Sequence, residues 1–329
     1  MNIAVDAMGG DYAPHAAVRG AVEAVSQLDI KVTLVGHKQI IADELALYSS
    51  VDRISVHHCT ETIRMDEAPM KAVRQKKDAS IRVAFDLVKR GVVDAVVSAG
   101  NSGSILAAGV LCLGIIDGVE RPAIAGILPG EKGDVILIDV GANVDCRPAH
   151  LFQFGAMAEA FAASCLDMEN PKIGLLSIGE EGGKGNELVQ MARKLFEKSR
   201  LNFVGYVEGR DIFTGNVEII VCDGFVGNVV LKLSEGMASA FTGLLEKEFR
   251  ESFLRRLHFF LGGRIFDKFK KKLDYEEYGG APLLGIKGVG IVCHGGSTPR
   301  AITNAVKLAA RYLNNRVLEK IDLQLNTMN

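Results

Sequence analysis

The strongest constraint on the fold is a regular alternation of short apolar runs with helix-like stretches. Nine runs rich in Val, Ile and Leu read as strands: Asn2–Asp6, Lys31–Val35, Arg53–Val56, Val92–Val97, Ala123–Leu128, Asp134–Asp139, Lys172–Ser177, Asn202–Val207 and Val217–Cys222. Between these strands, apolar residues recur at helical spacing and predict helices at Pro14–Leu28, Ser80–Lys89, Ser102–Leu113, Pro148–Cys165 and Asn186–Lys198. Apolar strands alternating with helices indicate a mostly parallel sheet covered on both faces. We therefore predict a three-layer α/β/α fold.

Composition favours a single cytoplasmic domain over residues 1–329. The chain has 48% hydrophobic and 24% charged residues, without a repeat, a linker or a low-complexity tract. A net charge of −2 gives no whole-chain signal for nucleic acid. The six cysteines are scattered without a Cys-x-x-Cys pair, which indicates reduced thiols and no zinc site. No apolar run approaches the ~20 residues that span a bilayer, and we expect no metal and no cofactor.

Residues 234–274 differ from the rest of the chain and predict an amphipathic helical hairpin that protrudes from the domain. Between Arg250 and Leu273 lie eight basic and two acidic residues, a local charge of +6. Packing against the core or a dimer partner is one interpretation. A membrane surface or an acidic carrier protein is the other, with contacts from Phe253, Arg255, Arg256, Leu257, Phe260, Phe266 and Lys270. Residues 297–326 read as a closing helix.

Five strands are followed by turns that combine glycine with small polar residues or lysine. These turns are Ala7–Asp11, Ser98–Ser104, Val140–Asp145, Ile178–Asn186 and Asp223–Asn228. In a parallel α/β sheet, ligands bind beyond the carboxyl ends of the strands. We therefore expect the five turns to meet on one edge of the sheet and to form a polar site.

The turn at Ser98–Ser104 leads into a helix, where free backbone N–H groups favour an anion such as phosphate. The alternative is that Ser102 or Ser104 simply caps the helix.

Lys184 stands among glycines and is a candidate cation for a phosphate or an oxyanion. A solvated loop lysine is the alternative. Neither a P-loop nor a Gly-x-Gly-x-x-Gly fingerprint is present.

Four further residues allow more than one interpretation. His294 precedes the closing helix and is a candidate general acid or a helix cap. Asp6, Asp139 and Asp223 each end or follow a strand, where a carboxylate can orient the lysine or a loop, or can simply accept turn N–H groups.

Taken in order, these motifs resemble those of bacterial phosphate acyltransferases over nearly the whole chain. The matching stretches are Val5–Asp11, Ser98–Gly103, Asp139–Asp145, Lys184–Glu187, Asp223–Val229 and Tyr278–Ala281. Two positions depart from the family pattern: Gly296 replaces a common serine and Cys222 a common threonine.

The resemblance implies transfer of a long-chain acyl group from acyl-carrier-protein to inorganic phosphate, giving acyl phosphate for phospholipid synthesis. It also implies a fold related to phosphotransacetylase and isopropylmalate dehydrogenase, a homodimer, and peripheral attachment to the inner face of the cell membrane. The downstream glycerol-3-phosphate acyltransferase is an expected partner. An NAD-dependent dehydrogenase of related fold and a non-catalytic membrane scaffold are the alternatives.

In that reaction phosphate is the nucleophile, so no Ser or Cys nucleophile is needed. Lys184 and the side-chain amide of Asn228 or Asn143 would stabilise charge on the thioester carbonyl oxygen. The predicted substrate-binding residues are Asp6, Gly9, Gly10, Asn101, Ser102, Gly103, Ser104, Gly185, Asn186, Asp223, Gly224, Gly227 and His294.

Overall fold

The computed structural model describes residues 1–49, 51–250 and 275–326. Their strands form one sheet with the order β3-β2-β1-β4-β11-β10-β5-β6-β9-β7-β8. The strands are β1 (Asn2–Asp6), β2 (Lys31–Gly36), β3 (Ile54–His58), β4 (Ala95–Ser98), β5 (Ala123–Pro129), β6 (Asp134–Ile138), β7 (Ile173–Leu176), β8 (Phe203–Val207), β9 (Ile219–Val221), β10 (Ala281–Leu284) and β11 (Val289–Val292).

Helices cover both faces of this sheet, which confirms the predicted three-layer architecture. They are α1 (His15–Gln27), α2 (Lys38–Leu45), α3 (Pro69–Gln75), α4 (Ser80–Lys89), α5 (Ser102–Leu113), α6 (Pro148–Cys165), α7 (Glu187–Glu197), α8 (Gly224–Arg250), α9 (Pro299–Asn314) and α10 (Val317–Asn326). Two apolar clusters, one on each face, form the core because alternate strand residues point to opposite faces.

The sheet consists of two parallel halves that run in opposite directions. β3, β2, β1, β4 and β11 are mutually parallel, and so are β6, β9, β7 and β8. The direction reverses because β5 and β6 form an antiparallel pair and β10 is antiparallel to both β11 and β5. The expectation that all five glycine turns share one edge is therefore wrong.

The turns after β4 and β6 nevertheless approach each other across β10 and β11. The first residue of β10, Ala281, pairs with Val292 at the carboxyl end of β11, and its last, Leu284, pairs with Ala123 at the start of β5. The N–H of Val140, just after β6, donates to the carbonyl oxygen of Ile124 at 3.0 Å. A four-residue strand spans only about 10 Å, so the carboxyl ends of the two halves face each other over a short distance.

Several predicted elements need correction. The sequence pattern did not predict β10, α2 or α3. The predicted closing helix is in fact α9 and α10, separated at Arg316, whose φ of 51° lies in the left-handed region. The predicted hairpin begins inside α8, which starts ten residues earlier, at Gly224. Its continuation from residue 251 to residue 274, with all seven predicted contact residues, lies outside the described residues.

Candidate active site

The candidate active site is a cavity of about 410 Å³ where the two halves of the sheet meet. Its polar wall combines residues from the turns after β1, β4 and β11 with residues of α8: Asp11, Ser102, Asn228, Lys232, Glu235, His294 and Ser297. Its floor is mostly apolar: Ile124, Gly126, Ile127, Val140, Leu231, Ala281 and Val292. The cavity thus joins a polar wall to an apolar floor.

The turns after β1 and β4 are held together by a buried carboxylate. Asp6 is buried, and its Oδ2 accepts a hydrogen bond from Ser98 Oγ at 2.7 Å. Burial raises the pKa of Asp6, while the hydroxyl and N–H groups that donate to it oppose the rise. Gly10 has φ of 98° and packs against Ala99, and a Cβ at Gly9 would contact Asp6 and Gly100. Asp6, Gly9 and Gly10 were predicted to bind substrate. They pack the two turns together and do not line the cavity.

The N-terminus of α5 has free donors at the cavity. Asn101 is its cap, because Asn101 Oδ1 accepts the N–H of Ser104 at 3.0 Å. The alternative that Ser102 or Ser104 caps the helix is therefore wrong. Within the described residues, the N–H groups of Ser102 and Gly103 have no hydrogen-bond acceptor. Ser102 lines the cavity, so this helix end can receive an anion there.

The turn after β6 is built around Asp139. This side chain has no exposed surface, and its oxygens accept N–H groups of Ile124, Ala142 and Asn143 at 3.1, 3.0 and 2.7 Å. Asn143 is also buried, and its Nδ2 donates to Asp139 Oδ2 at 2.9 Å and to the Pro122 carbonyl at 2.8 Å. Both amide hydrogens of Asn143 are thus engaged, which contradicts its predicted role in stabilising charge on the substrate.

Two glycines bring α8 against this turn. The Gly224 N–H donates to the carbonyl oxygen of Asn143 at 2.7 Å, and a Cβ at Gly227 would overlap the carbonyl group of Asp139. Gly224 and Gly227 were predicted to bind substrate, but in the structure they pack against the turn after β6. Asp223 caps the helix, with Oδ1 accepting the Val226 N–H at 2.9 Å.

The close packing of α8 places Asn228 on the cavity wall. Asn228 is exposed, lines the cavity and lies beside Gly141. Within the described part of the chain its side-chain amide has no hydrogen-bond partner. Asn228 is thus the asparagine, of the two predicted, that can donate to a ligand.

The loop that carries Lys184 lies apart from the cavity wall. It follows β7, which is separated from β6 by β9, and Lys184 is exposed and absent from the cavity lining. Gln190 Nε2 fixes the loop by donating to the carbonyl oxygens of Gly183 and Gly185 at 3.0 and 3.1 Å. Asn186 caps α7 through a 3.0 Å bond from the Val189 N–H. The structure therefore does not bring Lys184, Gly185 and Asn186 to the cavity.

The turn after β11 supplies the opposite wall. His294 is exposed and lines the cavity, and its Nδ1 accepts the N–H of Gly296 at 3.1 Å. Thr298 caps α9, so the alternative role of His294 as a helix cap is wrong. Burial raises the pKa of Cys293, the neighbouring thiol of the lining, to about 12. Cys293 is therefore protonated near neutral pH and is a poor nucleophile.

Sequence reasoning missed the charged residues of α8. Lys232 is the lysine of the cavity lining, and its Nζ lies 2.9 Å from Glu235 Oε2. Its position one helical turn after Asn228 was an available signal, since residues i and i+4 share a helix face. Tyr278, also in the lining, donates its hydroxyl to Asp134 at 3.0 Å. Among the described residues no cluster of three or more His, Cys, Asp or Glu could hold a metal ion.

Phosphotransacetylases are among the solved structures that share this fold. A phosphotransacetylase from Streptococcus pyogenes matches with a TM-score of 0.64 and 16% identity, covering 97% of this chain and 94% of that one. EutD phosphotransacetylase from Staphylococcus aureus matches with a TM-score of 0.61 and 15% identity over 94% and 93%. The chain therefore has the phosphotransacetylase fold.

Sequence relatives identify the family within that fold. A family model described as "Fatty acid synthesis protein" matches residues 1–320. Phosphate acyltransferase of Geotalea daltonii is 52% identical over 98% of this chain and 94% of that protein. The enzyme of the same name from Geobacter sulfurreducens is 50% identical over 98% and 95%. The chain belongs to the bacterial phosphate acyltransferase family of fatty acid and phospholipid synthesis, which favours an acyltransferase over the dehydrogenase and scaffold alternatives.

Proposed function

We propose that this protein transfers a long-chain fatty acyl group from acyl-carrier-protein to inorganic phosphate, forming acyl phosphate. The observation that carries the proposal is the two-part cavity, where an anion site and an apolar floor adjoin. The free N–H group of Ser102 and the ammonium of Lys232, both residues of the cavity lining, suit phosphate. The floor suits an alkyl chain. A thioester held between them would present its carbonyl carbon to the phosphate.

The proposed reaction needs little chemistry from the protein. A phosphate oxygen attacks the thioester carbonyl carbon, the new C–O bond forms, and the C–S bond breaks with its electron pair leaving on sulfur. The carrier thiolate then takes up a proton. The side-chain amide of Asn228 donates to the carbonyl oxygen as negative charge develops there. Positioning the two substrates together supplies much of the remaining rate acceleration.

In this proposal Lys232 binds phosphate and Lys184 contacts the reacting group. Lys232 Nζ is held beside Glu235 at 2.9 Å in the cavity wall and binds phosphate. Lys184, on the loop after β7, contacts the reacting group only when that loop approaches the cavity. Lys184 therefore stays a predicted catalytic residue whose contact this structure does not contain.

The proposed partners are a second copy of the chain, acyl-carrier-protein, the inner membrane surface and the downstream glycerol-3-phosphate acyltransferase, in the cytoplasm. An exposed apolar row on α8 supports a partner contact there: Val229, Leu233, Met237, Phe241 and Leu244. The basic sequence that follows the helix suits acidic carrier protein or anionic headgroups. None of the described helices is both long and apolar enough to cross a bilayer.

The direct test is incubation of the purified protein with hexadecanoyl-acyl-carrier-protein and radiolabelled phosphate. We expect labelled acyl phosphate and free carrier thiol in equal amounts. Labelled product that requires nucleotide, or carrier thiol released with free fatty acid as the only acyl product, would contradict the proposal. Addition of NAD with hydroxy-acid substrates, followed by absorbance, tests the dehydrogenase alternative in the same preparation.

A further inference from the structure

We propose that the apolar floor of the cavity binds the acyl chain and that the absence of a side chain at Gly126 leaves room there for a long chain. This inference rests on the proposed function, because it assigns the substrate's alkyl portion within the same site. Gly126 lies inside β5, is buried, and lines the cavity. Glycine weakens a strand interior and often marks close approach of a ligand. A functional constraint would explain why a strand position carries no side chain here.

The composition of the floor selects an alkyl chain over the other parts of the donor. Ile124, Val140 and Val292 are buried side chains, and Leu231 of α8 is partly buried against the same apolar cluster. The pantetheine arm of a carrier thioester contains two amides, which would lose hydrogen bonds to water on such a surface. An alkyl chain loses nothing polar and gains from each buried methylene group. The floor therefore matches the acyl chain, and the polar wall matches the thioester and phosphate.

The surroundings of Gly126 show what a side chain would change. A Cβ built there lies 3.2 Å from Val140 Cγ1 and 3.5 Å from Val140 Cγ2. Such spacing permits alanine with a small shift of the valine. A valine side chain has two more carbon atoms than alanine at this position in the cavity lining, so Gly126→Val removes space from the floor. Long chains should lose more from this change than short ones, because only long chains reach the whole floor.

Gly290 provides a matched control for the strand substitution. It lies inside β11, is buried, and a Cβ there would be 3.2 Å from Phe85 Cζ and 3.5 Å from Cε1. Its strand setting and side-chain contact distances resemble those of Gly126, but Gly290 does not line the cavity. Any effect of Gly126 substitution that Gly290→Ala also shows is an effect on the sheet and not on the acyl chain.

The experiment compares octanoyl-, dodecanoyl- and hexadecanoyl-acyl-carrier-protein as donors at saturating phosphate. For Gly126→Val, kcat/KM with the hexadecanoyl donor should fall about 10-fold relative to the octanoyl donor. Gly126→Ala should shift this ratio in the same direction by less, and Gly290→Ala should leave it at the wild-type value. Leu231→Phe narrows the floor from α8, away from the strand, and should also favour the octanoyl donor.

Unchanged donor ratios in Gly126→Ala and Leu231→Phe, with melting temperatures near that of Gly290→Ala, would overturn the inference while leaving the proposed function intact. Failure of the wild-type protein to form acyl phosphate from any of the three donors would overturn the proposed function, and the inference with it. The two failures are distinguishable because one concerns a ratio between donors and the other concerns the product itself.

Discussion

The carboxylate of Asp139 accepts hydrogen bonds from both the backbone N–H and the side-chain amide of Asn143, at 2.7 and 2.9 Å. The carbonyl oxygen of Asn143 in turn accepts the N–H of Gly224 at 2.7 Å. This pair therefore joins the end of β6 to the start of α8. Asn228, one turn into α8, lines the cavity, whereas Asp139 and Asn143 do not. The buried pair therefore positions a cavity residue from outside the cavity.

The first prediction follows from the number of donors around Asp139. In Asp139→Asn, the new NH₂ group faces N–H donors and leaves some of them without an acceptor. We expect the free energy of unfolding to fall by ~2–3 kcal/mol, the range for hydrogen bonds to a buried charged group. Urea unfolding measures the change. Asp117→Asn is the control, since Asp117 is exposed and paired with Lys287, where an ion pair contributes little. Equal losses in the two variants would contradict this account.

The second prediction concerns Asn228. If its side-chain amide donates to the developing oxyanion, Asn228→Ala should lower kcat by about 10²–10³-fold and leave the KM for phosphate nearly unchanged. Steady-state acyl phosphate formation measures both constants. Val226→Ala is the matched control, because Val226 lies two residues earlier in α8, is exposed, and is outside both the cavity lining and the apolar row of α8. A loss confined to the KM for phosphate would assign Asn228 to phosphate binding instead.

The third prediction separates the two lysines. Lys232→Met should raise the KM for phosphate about 10-fold through loss of one charge-assisted contact, and Lys232→Arg should restore most of it. Lys184→Ala should lower kcat strongly with the fold intact, as judged by melting temperature. Near-normal turnover in Lys184→Ala would remove Lys184 from the mechanism. An unchanged KM for phosphate in Lys232→Met would place the anion elsewhere in the cavity.

The fourth prediction is a pH dependence from Asp6. Burial raises the pKa of this carboxyl above its ordinary value of 3.8 in the folded protein. The folded state therefore holds the proton more tightly than the unfolded state. Its contribution to stability is complete below pH 3.8 and is lost as pH rises through the folded-state pKa.

Asp6→Asn cannot lose that proton, and Ser98 Oγ, at 2.7 Å from Asp6 Oδ2 in the wild type, can accept from the new amide. The free energy of unfolding of the variant minus that of the wild type should thus increase between pH 4 and pH 7. Chemical unfolding at several pH values tests this, and a constant difference between the two proteins would show that Asp6 titrates as it does in the unfolded chain.

Local elements could be predicted well where their signals are local. The bounds of α4, α5, α6 and β1 follow directly from apolar spacing and from Pro148. The strand β10 could not be predicted, since four residues that include Pro282 give no period. Its pairing with β11 and β5 joins residues far apart in sequence, so the reversal of strand direction is also invisible to local patterns.

The site shows the same division. The glycine turns indicated where a ligand would lie, and three predicted residues line the cavity: Ser102, Asn228 and His294. Asn143 and Asn228 looked equivalent in sequence, and only the approach of α8 to Asp139 distinguishes the buried amide from the exposed one. Lys232 was not predicted because a lysine on a helix face is common in any soluble protein. Only the fold shows that Lys232 lines the same cavity as the turns after β4 and β11.

The central claim, direct attack of phosphate on the acyl carbonyl, has one decisive measurement. Hexadecanoyl-acyl-carrier-protein is incubated with phosphate carrying four ¹⁸O atoms, and the acyl phosphate is analysed by mass spectrometry. Attack by a phosphate oxygen predicts a product that retains all four heavy oxygens, formed in proportion to free carrier thiol. A product with fewer heavy oxygens, or hexadecanoic acid without acyl phosphate, would contradict the account.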